Sequence, residues 1–464
     1  MRIHFNGAAR TVTGSQYLLE VNGKRFLMEC GLYQGHRDEA YARNRSFKFE
    51  PKSLDAVLLS HAHIDHSGNL PQLVKDGYNG PIHVTPATAD LADIMLRDAG
   101  HIQQADAEYL NKKLAAHGEP QVEPLYTLED AEQVAQYFRP HPYSQPFEVV
   151  PGVTAEFIEA GHILGSAAIR LTLSENGRTT RLWFSGDIGR YGMPILRDPV
   201  LPSGADVLMM ECTYGDKRHA DPLEAHREFQ EIVLKTVARG GKVIIPAFAV
   251  GRTQELVYSL NMLVTEGKLG HIPVYVDSPL AVQASQVFEK HPECYDAETL
   301  EFIRTGRHPA LNFDGLRYVE SVEESKSLND KKGPLVIISA SGMAEVGRIL
   351  HHLKNNIEDG RNSILIVGWQ APDTLGRRLA DRQPTVRIFG EEYHVRAQVE
   401  TIGGLSAHAG QDMLLKYALA VKDQVRQVIL VHGESDAATA FQQCLHENGM
   451  DQVLYPEMFT DFEL

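Results

Sequence analysis

Between residues 60 and 69 the chain reads Ser60-His61-Ala62-His63-Ile64-Asp65-His66-Ser67-Gly68-Asn69, with three imidazoles and a carboxylate inside six positions. The run before it, Asp55-Ala56-Val57-Leu58-Leu59, is short and apolar and reads as a buried strand, and a helix-like segment opens near Leu70. The polar cluster therefore lies on a tight turn at a strand's end, where side chains can converge on one point. Crowding four such groups together is costly unless a cation gathers them. Neutral imidazoles and a carboxylate are what Zn²⁺ accepts, at about 2.0–2.2 Å. A fold built around this stretch has to bring further donors to the same place.

Three later turns offer them. Ala160-Gly161-His162-Ile163-Leu164-Gly165-Ser166 follows a strand-like run, Phe184-Ser185-Gly186-Asp187-Ile188-Gly189 ends another, and His432-Gly433-Glu434 follows the apolar Val428-Ile429-Leu430-Val431. Each repeats the pattern of strand, then polar side chain at the tip. Singly, each is more often an ordinary turn than a ligand.

At 464 residues the chain exceeds what one core usually serves, so two domains are expected. No apolar run approaches the roughly 18 residues of a membrane span, and no secretory h-region follows Met1. Cys30, Cys212, Cys294 and Cys444 lie far apart, which suits reduced thiols and a cytoplasmic setting. A formal charge of −16 argues against holding nucleic acid by bulk electrostatics, although a local basic groove is compatible with it.

Short strands are expected over 2–5, 16–21 and 25–29, then 153–158, 167–173, 181–185 and 205–210. Thr85-Pro86 and Thr127-Leu128-Glu129-Asp130 read as helix starts. From about 213 to 387 strands (242–245, 274–276, 335–338, 364–367) alternate with helices (222–238, 253–264, 280–289, 344–355). That rhythm predicts a parallel sheet with covering helices. A strand over 393–401 and the run 427–431, with helices near 411–420 and 437–447, close the chain. The second domain thus reads as an insertion, giving 1–208, 209–387 and 388–464.

In chain order, His61-Ala62-His63-Ile64-Asp65-His66, His162, Asp187 and His432 resemble the metallo-β-lactamase superfamily. The resemblance implies an α/β class protein, an αβ/βα sandwich carrying a two-metal hydrolase. His61, His63 and His162 are then expected on one metal and Asp65, His66 and His432 on the other, with Asp187 bridging. It implies two Zn²⁺ per chain, with Mn²⁺ the alternative, and a shared hydroxide as nucleophile. Met210-Glu211-Cys212-Thr213-Tyr214-Gly215, Gly404-Leu405-Ser406-Ala407-His408-Ala409 and Val431-His432-Gly433-Glu434 are similar to the ordered motifs of the β-CASP nucleases. In that family a histidine at the third motif accompanies RNA, whereas DNA-directed members usually carry valine.

The resemblance therefore implies a ribonuclease, with Asp65, Asp187, Glu211 and His408 catalytic. His408 is the expected general acid, oriented by Glu211, and the products are a 3′-hydroxyl and a 5′-phosphate. The expected partner is single-stranded RNA in the groove between the two domains; a homodimer is allowed and no membrane is expected. Arg252, Arg348, Arg377 and Arg378 are candidate phosphate clamps, since guanidinium forks match phosphate oxygens in pairs. Ser339, Ser341, Gly342 and Gln370 complete the candidate substrate contacts. His351-His352 reads as helix surface.

One position departs from the family. Where an early strand typically ends in aspartate, this chain has Phe26-Leu27-Met28-Glu29-Cys30-Gly31. The extra methylene requires a shifted backbone or a different angle if Glu29 is to bond a ligand histidine, and reduced rather than abolished activity is expected. Endonuclease and 5′-exonuclease action both remain open. So do a thioesterase or small phosphodiesterase on the same fold and a non-catalytic RNA-processing subunit.

Overall fold

The structure is a computed structural model that describes residues 1–35, 37–118, 120–304, 311–371 and 373–464. The chain divides into two compact units, one of Met1–Tyr191, Asp198–Arg218 and Ala407–Leu464, the other of Gly192–Arg197 and His219–Ser406.

The first unit holds two seven-stranded sheets. One runs, in spatial order, Asp461–Glu463, Arg2–Gly7, Gln16–Val21, Lys24–Met28, Ala56–Leu58, Ile82–Val84 and Phe138–Pro140. The other runs Val453–Leu454, Gln427–Val431, Val207–Glu211, Arg178–Phe184, Ala167–Glu175, Val153–Glu159 and Phe147–Val150. Alternating side chains of both sheets meet in one core: Phe5, Tyr17 and Phe26 from the first, and Phe157, Phe184, Met209 and Ile429 from the second. The opposite face of the second sheet carries Trp183, Leu208 and Leu430, covered by Leu414 and Tyr417 of helix Gln411–Leu419 and Phe441 of helix Ser435–Glu447. The buried Trp183 indole donates to Tyr417 Oη at 2.7 Å, so even this layer has its polar atoms matched. Helix Pro86–His117 lies against Phe138–Pro140 of the first sheet, completing an αβ/βα sandwich.

The second unit is a six-stranded parallel sheet in the order Leu316–Tyr318, Val274–Asp277, Val336–Ser339, Val243–Pro246, Ser363–Ile366, Gln398–Thr401. Helices Pro222–Ala238 and Arg252–Thr265 pack on one face, and Ile349–Asn356 and Leu375–Ala380 on the other. Two of its helix starts are capped by side chains, Asp221 and Ser278 accepting from Leu223 N and Ala281 N ahead of Pro222 and Pro279. In the first unit Thr127 and Asp130 form a reciprocal capping box.

Four expectations change. The strand expected over 393–401 is two elements: Glu391–His394 pairs with Thr385–Ile388 in a hairpin, and Gln398–Thr401 joins the parallel sheet beside Ser363–Ile366. That pairing places residues 388–406 in the second unit, so the chain leaves it near 406 rather than 387, and its main segment enters at 219 rather than 209. The helix expected from 344 starts at Ile349, because Ala344 is at φ +57° and the preceding loop is not helical. His352 is buried rather than on a helix surface, because its Nε2 meets Asp277 Oδ2 at 2.6 Å and its Nδ1 meets Asn329 Oδ1 at 3.1 Å.

Candidate metal centre

Strand Ala56–Leu58 delivers the histidine-rich turn, whose backbone is clamped by the chain just past strand Lys24–Met28. Cys30 N donates to His66 O at 2.8 Å and Leu32 N to Ile64 O at 2.9 Å. A Cβ on Gly31 would lie 1.7 Å from the Asp65 carbonyl oxygen, so only glycine permits this approach. The turns after Val153–Glu159 and Arg178–Phe184 stack backbone to backbone, and a Cβ on Gly189 would sit 1.8 Å from Gly161 O. His432 follows strand Gln427–Val431 at φ +47°, held by its N–H to Ala8 O at 2.8 Å.

These strand ends bring all seven expected ligands together. One group is His61, His63, His162 and Asp187; a second is Asp65, His66 and His432. His61 Nε2 lies 3.1 Å from His63 Nδ1, and His162 Nε2 lies 3.2 Å from the same atom. In the second group His66 Nε2 is 3.3 Å from His432 Nε2, which is 3.4 Å from Asp65 Oδ2. Asp187 divides its oxygens: Oδ2 is 3.5 Å from His61 and His162, Oδ1 is 3.3 Å from His66 and 3.5 Å from His432. Both oxygens are buried and neither accepts a hydrogen bond. Tetrahedral donors at about 2.0–2.1 Å from Zn²⁺ are themselves about 3.3 Å apart, the spacing seen here. Each residue thus fits the cation that its chemistry suggests.

Protonation states agree. Burial pushes His61 down to about 3 and His63 to about 4, and drives His162 well below the ordinary imidazole value, leaving lone pairs free to bind metal. Burial opposes ionisation of Asp65 and Asp187, yet the surrounding imidazoles hold both below the usual carboxylate range. His66 goes the other way. Burial opposes its charge, but Asp187, Glu29 and Asp65 raise its pKa well above normal. Three carboxylates around one imidazole call for positive charge, which a metal ion would supply in place of the proton.

Glu29 is completely buried and meets His66 Nδ1 with Oε2 at 2.5 Å. It also accepts from Ser60 N at 2.7 Å and Ser60 Oγ at 2.9 Å, and Ser60 Oγ is 2.9 Å from His61 Nδ1. One carboxylate thereby orients a histidine of each group. Despite the extra methylene the carboxylate reaches His66, from a backbone at φ +64°. The relay through Ser60 was not anticipated; its only sequence signal is a hydroxyl directly before the first histidine. Thr213 was missed likewise, its Oγ1 donating to His432 O at 2.9 Å and lying 3.1 Å from His432 Nδ1.

Beside the metal groups, Glu211 ends strand Val207–Glu211 with no exposure and accepts from Ile188 N at 2.6 Å. His408 Nδ1 lies 3.2 Å from both Glu211 oxygens and 3.9 Å from Asp187 Oδ2. Burial disfavours its imidazolium, but Glu211 and then Asp187 outweigh that and raise it to about 9.

The candidate substrate contacts fare differently. Arg252 is ion-paired with Glu255, and Arg348 holds Asp277 at 2.7 Å and the Val319 and Glu320 carbonyls. Buried Ser339 donates to Asp277 O, Ser341 Oγ bonds Val346 backbone, and Gln370 Nε2 donates to the Gly342, Gly368 and Trp369 carbonyls. These side chains shape loops instead of reaching for phosphate. Arg377 pairs with Asp381 across one helical turn but is 48% exposed, and Arg378 is partly exposed, so both remain accessible.

An αβ/βα sandwich whose strand ends converge on two His/Asp groups defines a metal-dependent hydrolase of the metallo-β-lactamase fold. Residues 9–209 match the description "Metallo-beta-lactamase superfamily", 253–379 "Beta-Casp domain" and 392–456 "Zn-dependent metallo-hydrolase RNA specificity domain". The chain is 41% identical over 453 residues to Ribonuclease TTHA0252 of Thermus thermophilus, covering 97% of each. It is 30% identical to Transcription termination factor FttA of Methanocaldococcus jannaschii, covering 98% of this chain and 70% of that one. A crystal structure of an Enterococcus faecalis V583 protein of unknown function shares the fold at a TM-score of 0.56 and 14% identity, covering 100% of this chain and 99% of that one. The chain belongs to the β-CASP family of the metallo-β-lactamase superfamily.

Proposed function

We propose that the chain is a metal-dependent ribonuclease that hydrolyses phosphodiester bonds of single-stranded RNA, leaving 3′-hydroxyl and 5′-phosphate ends. The observation that carries this is the placement of the Glu211–His408 pair against Asp187, itself shared between two ligand groups. Two Zn²⁺, one held by His61, His63 and His162 and one by Asp65, His66 and His432, with Asp187 touching both, would supply Lewis acidity and an activated water. Glu211 accepts a hydrogen bond from Nδ1–H of His408 and so fixes the ring's orientation, leaving Nε2–H to protonate the departing 3′ oxygen. His66 and His61 are held in ligand orientation by Glu29 and Ser60. The relative named a ribonuclease and the match to an RNA specificity domain support RNA as substrate. The thiols of Cys30, Cys212 and Cys444, none of them in a disulfide, support action in a reducing compartment such as the cytoplasm.

The test is incubation of end-labelled RNA with the purified chain, with and without chelator, beside Asp187→Ala. Cleavage confined to the untreated wild type is expected, and the fate of the label separates internal cutting from 5′ trimming. Intact RNA in that lane, with metal bound, would leave a non-catalytic RNA-processing role.

A further inference from the structure

Three neighbouring strands of the parallel sheet, Val336–Ser339, Val243–Pro246 and Ser363–Ile366, each end in a loop that carries one large apolar side chain more than half exposed. These are Val346 at 59%, Phe248 at 52% and Trp369 at 56%. Single exposed apolar side chains are ordinary on a protein surface, but three of them at the ends of adjoining strands form a group that invites a partner. Both aromatic loops are instead held rigidly from beneath. Thr253 Oγ1 donates to Phe248 O at 2.7 Å and Gln254 Nε2 to Ala249 O at 3.2 Å, fixing the first loop to the helix after it. Buried Gln370 donates to Gly368 O at 3.2 Å and Trp369 O at 3.1 Å, and also to Gly342 O at 3.1 Å in the intervening loop. Gly342 closes the chain of contacts: a Cβ there would stand 3.0 Å from the Phe248 ring. At Gly368, beside Trp369, an added Cβ would meet nothing within 4 Å, so that approach is open.

We propose that Phe248 and Trp369 form a stacking platform for the bases of single-stranded RNA at the carboxyl edge of this sheet. The inference rests on the ribonuclease reading above and names how that substrate is gripped. Every base offers a π-face, so two pre-set rings hold a strand without reading its sequence. Stacking also answers the charge problem: a chain at −16 gains little from bulk attraction to phosphate, and Arg252 and Arg348 are committed to carboxylates. Ring faces need no net positive charge. The choice of RNA over a protein partner rests on the match to an RNA specificity domain and on the relative named a ribonuclease.

The chain contains its own reporter. Of its two tryptophans, Trp183 is 1% exposed and Trp369 is 56% exposed, so iodide quenching reads Trp369. Asp187→Ala protein, or metal-free wild type if that variant does not fold, is titrated with a 12-nucleotide oligoadenylate and with an abasic strand of equal length and charge. The oligoadenylate is expected to protect Trp369 from iodide and to bind at least tenfold more tightly than the abasic strand. Phe248→Leu and Trp369→Leu should each weaken oligoadenylate binding by about 5–100-fold, whereas Trp369→Phe retains most of it. Equal affinity for both strands, with end-labelled RNA still cleaved by the wild type, overturns the platform and leaves the ribonuclease reading standing. Neither binding nor cleavage overturns both. Protection of Trp369 that rises with protein concentration without RNA assigns the rings to contact between copies and overturns the platform.

Discussion

A carboxylate that orients a metal-binding histidine is worth about 10–100-fold in metal affinity, and Glu29 serves His66 directly and His61 through Ser60. Its left-handed backbone, at φ +64°, costs about 1–3 kcal/mol, which the surrounding hydrogen bonds offset. Glu29→Ala is therefore expected to raise the metal dissociation constant by about 10–100-fold, measured by competition with a chromogenic chelator. His408 makes a pH prediction. Its imidazolium is held to about 9, so activity needing that proton persists below this pH and falls as pH rises through it. A cation on Asp187 opposes the upward shift, which makes Glu211 the more necessary. Glu211→Gln removes the leading stabilising charge, so the alkaline limb of the pH–rate profile should move toward the ordinary imidazole value and kcat should fall. An unmoved limb would show that His408 is not the proton donor.

At the level of elements, Asp277 joins the second unit's sheet to its helices. It ends strand Val274–Asp277, accepts from Ser325 Oγ at 2.6 Å and Arg348 at 2.7 Å, and meets His352 Nε2 at 2.6 Å. Burial resists its ionisation, but His352, Ser325 and Arg348 prevail and lower its pKa. A depressed carboxylate contributes stability that is complete above its unfolded value near 3.9 and is lost as pH falls through the lower folded value. Asp277→Ala strands the buried His352 imidazole and the partly buried Arg348 guanidinium, a loss of about 3 kcal/mol at pH 7. In urea denaturation at pH 7 the variant should unfold at markedly lower urea, and the gap should shrink in acid below pH 4.

For the whole chain, the ligand set is drawn from turns as far apart as residues 61 and 432, so a cation that bridges them binds only the folded first unit. Metal in excess should raise that unit's unfolding temperature, as any ligand selective for the native state does. Chelator should reverse the rise, and Asp187→Ala should largely abolish it. Equal melting with and without metal, tested by calorimetry, would refute a shared centre. Among the described residues no helix is long and apolar enough to cross a membrane.

The amino-acid order alone determined which turns carry donors, because a strand ending in a polar tip is a local pattern, and His61 through His66 need no partner to be seen. It also determined the alternation that makes a parallel sheet. What it could not reveal was commitment. Whether Arg348 meets a phosphate or Asp277, whether His352 faces water or a carboxylate, and whether Gln370 reaches substrate or its own loop depend on neighbours 28 to 75 residues away. The crossing back from the second unit near 406 likewise depends on the pairing of Gln398–Thr401 with Ser363–Ile366. Charged and amide side chains take whichever partner packing brings within reach, and only tertiary structure decides which that is.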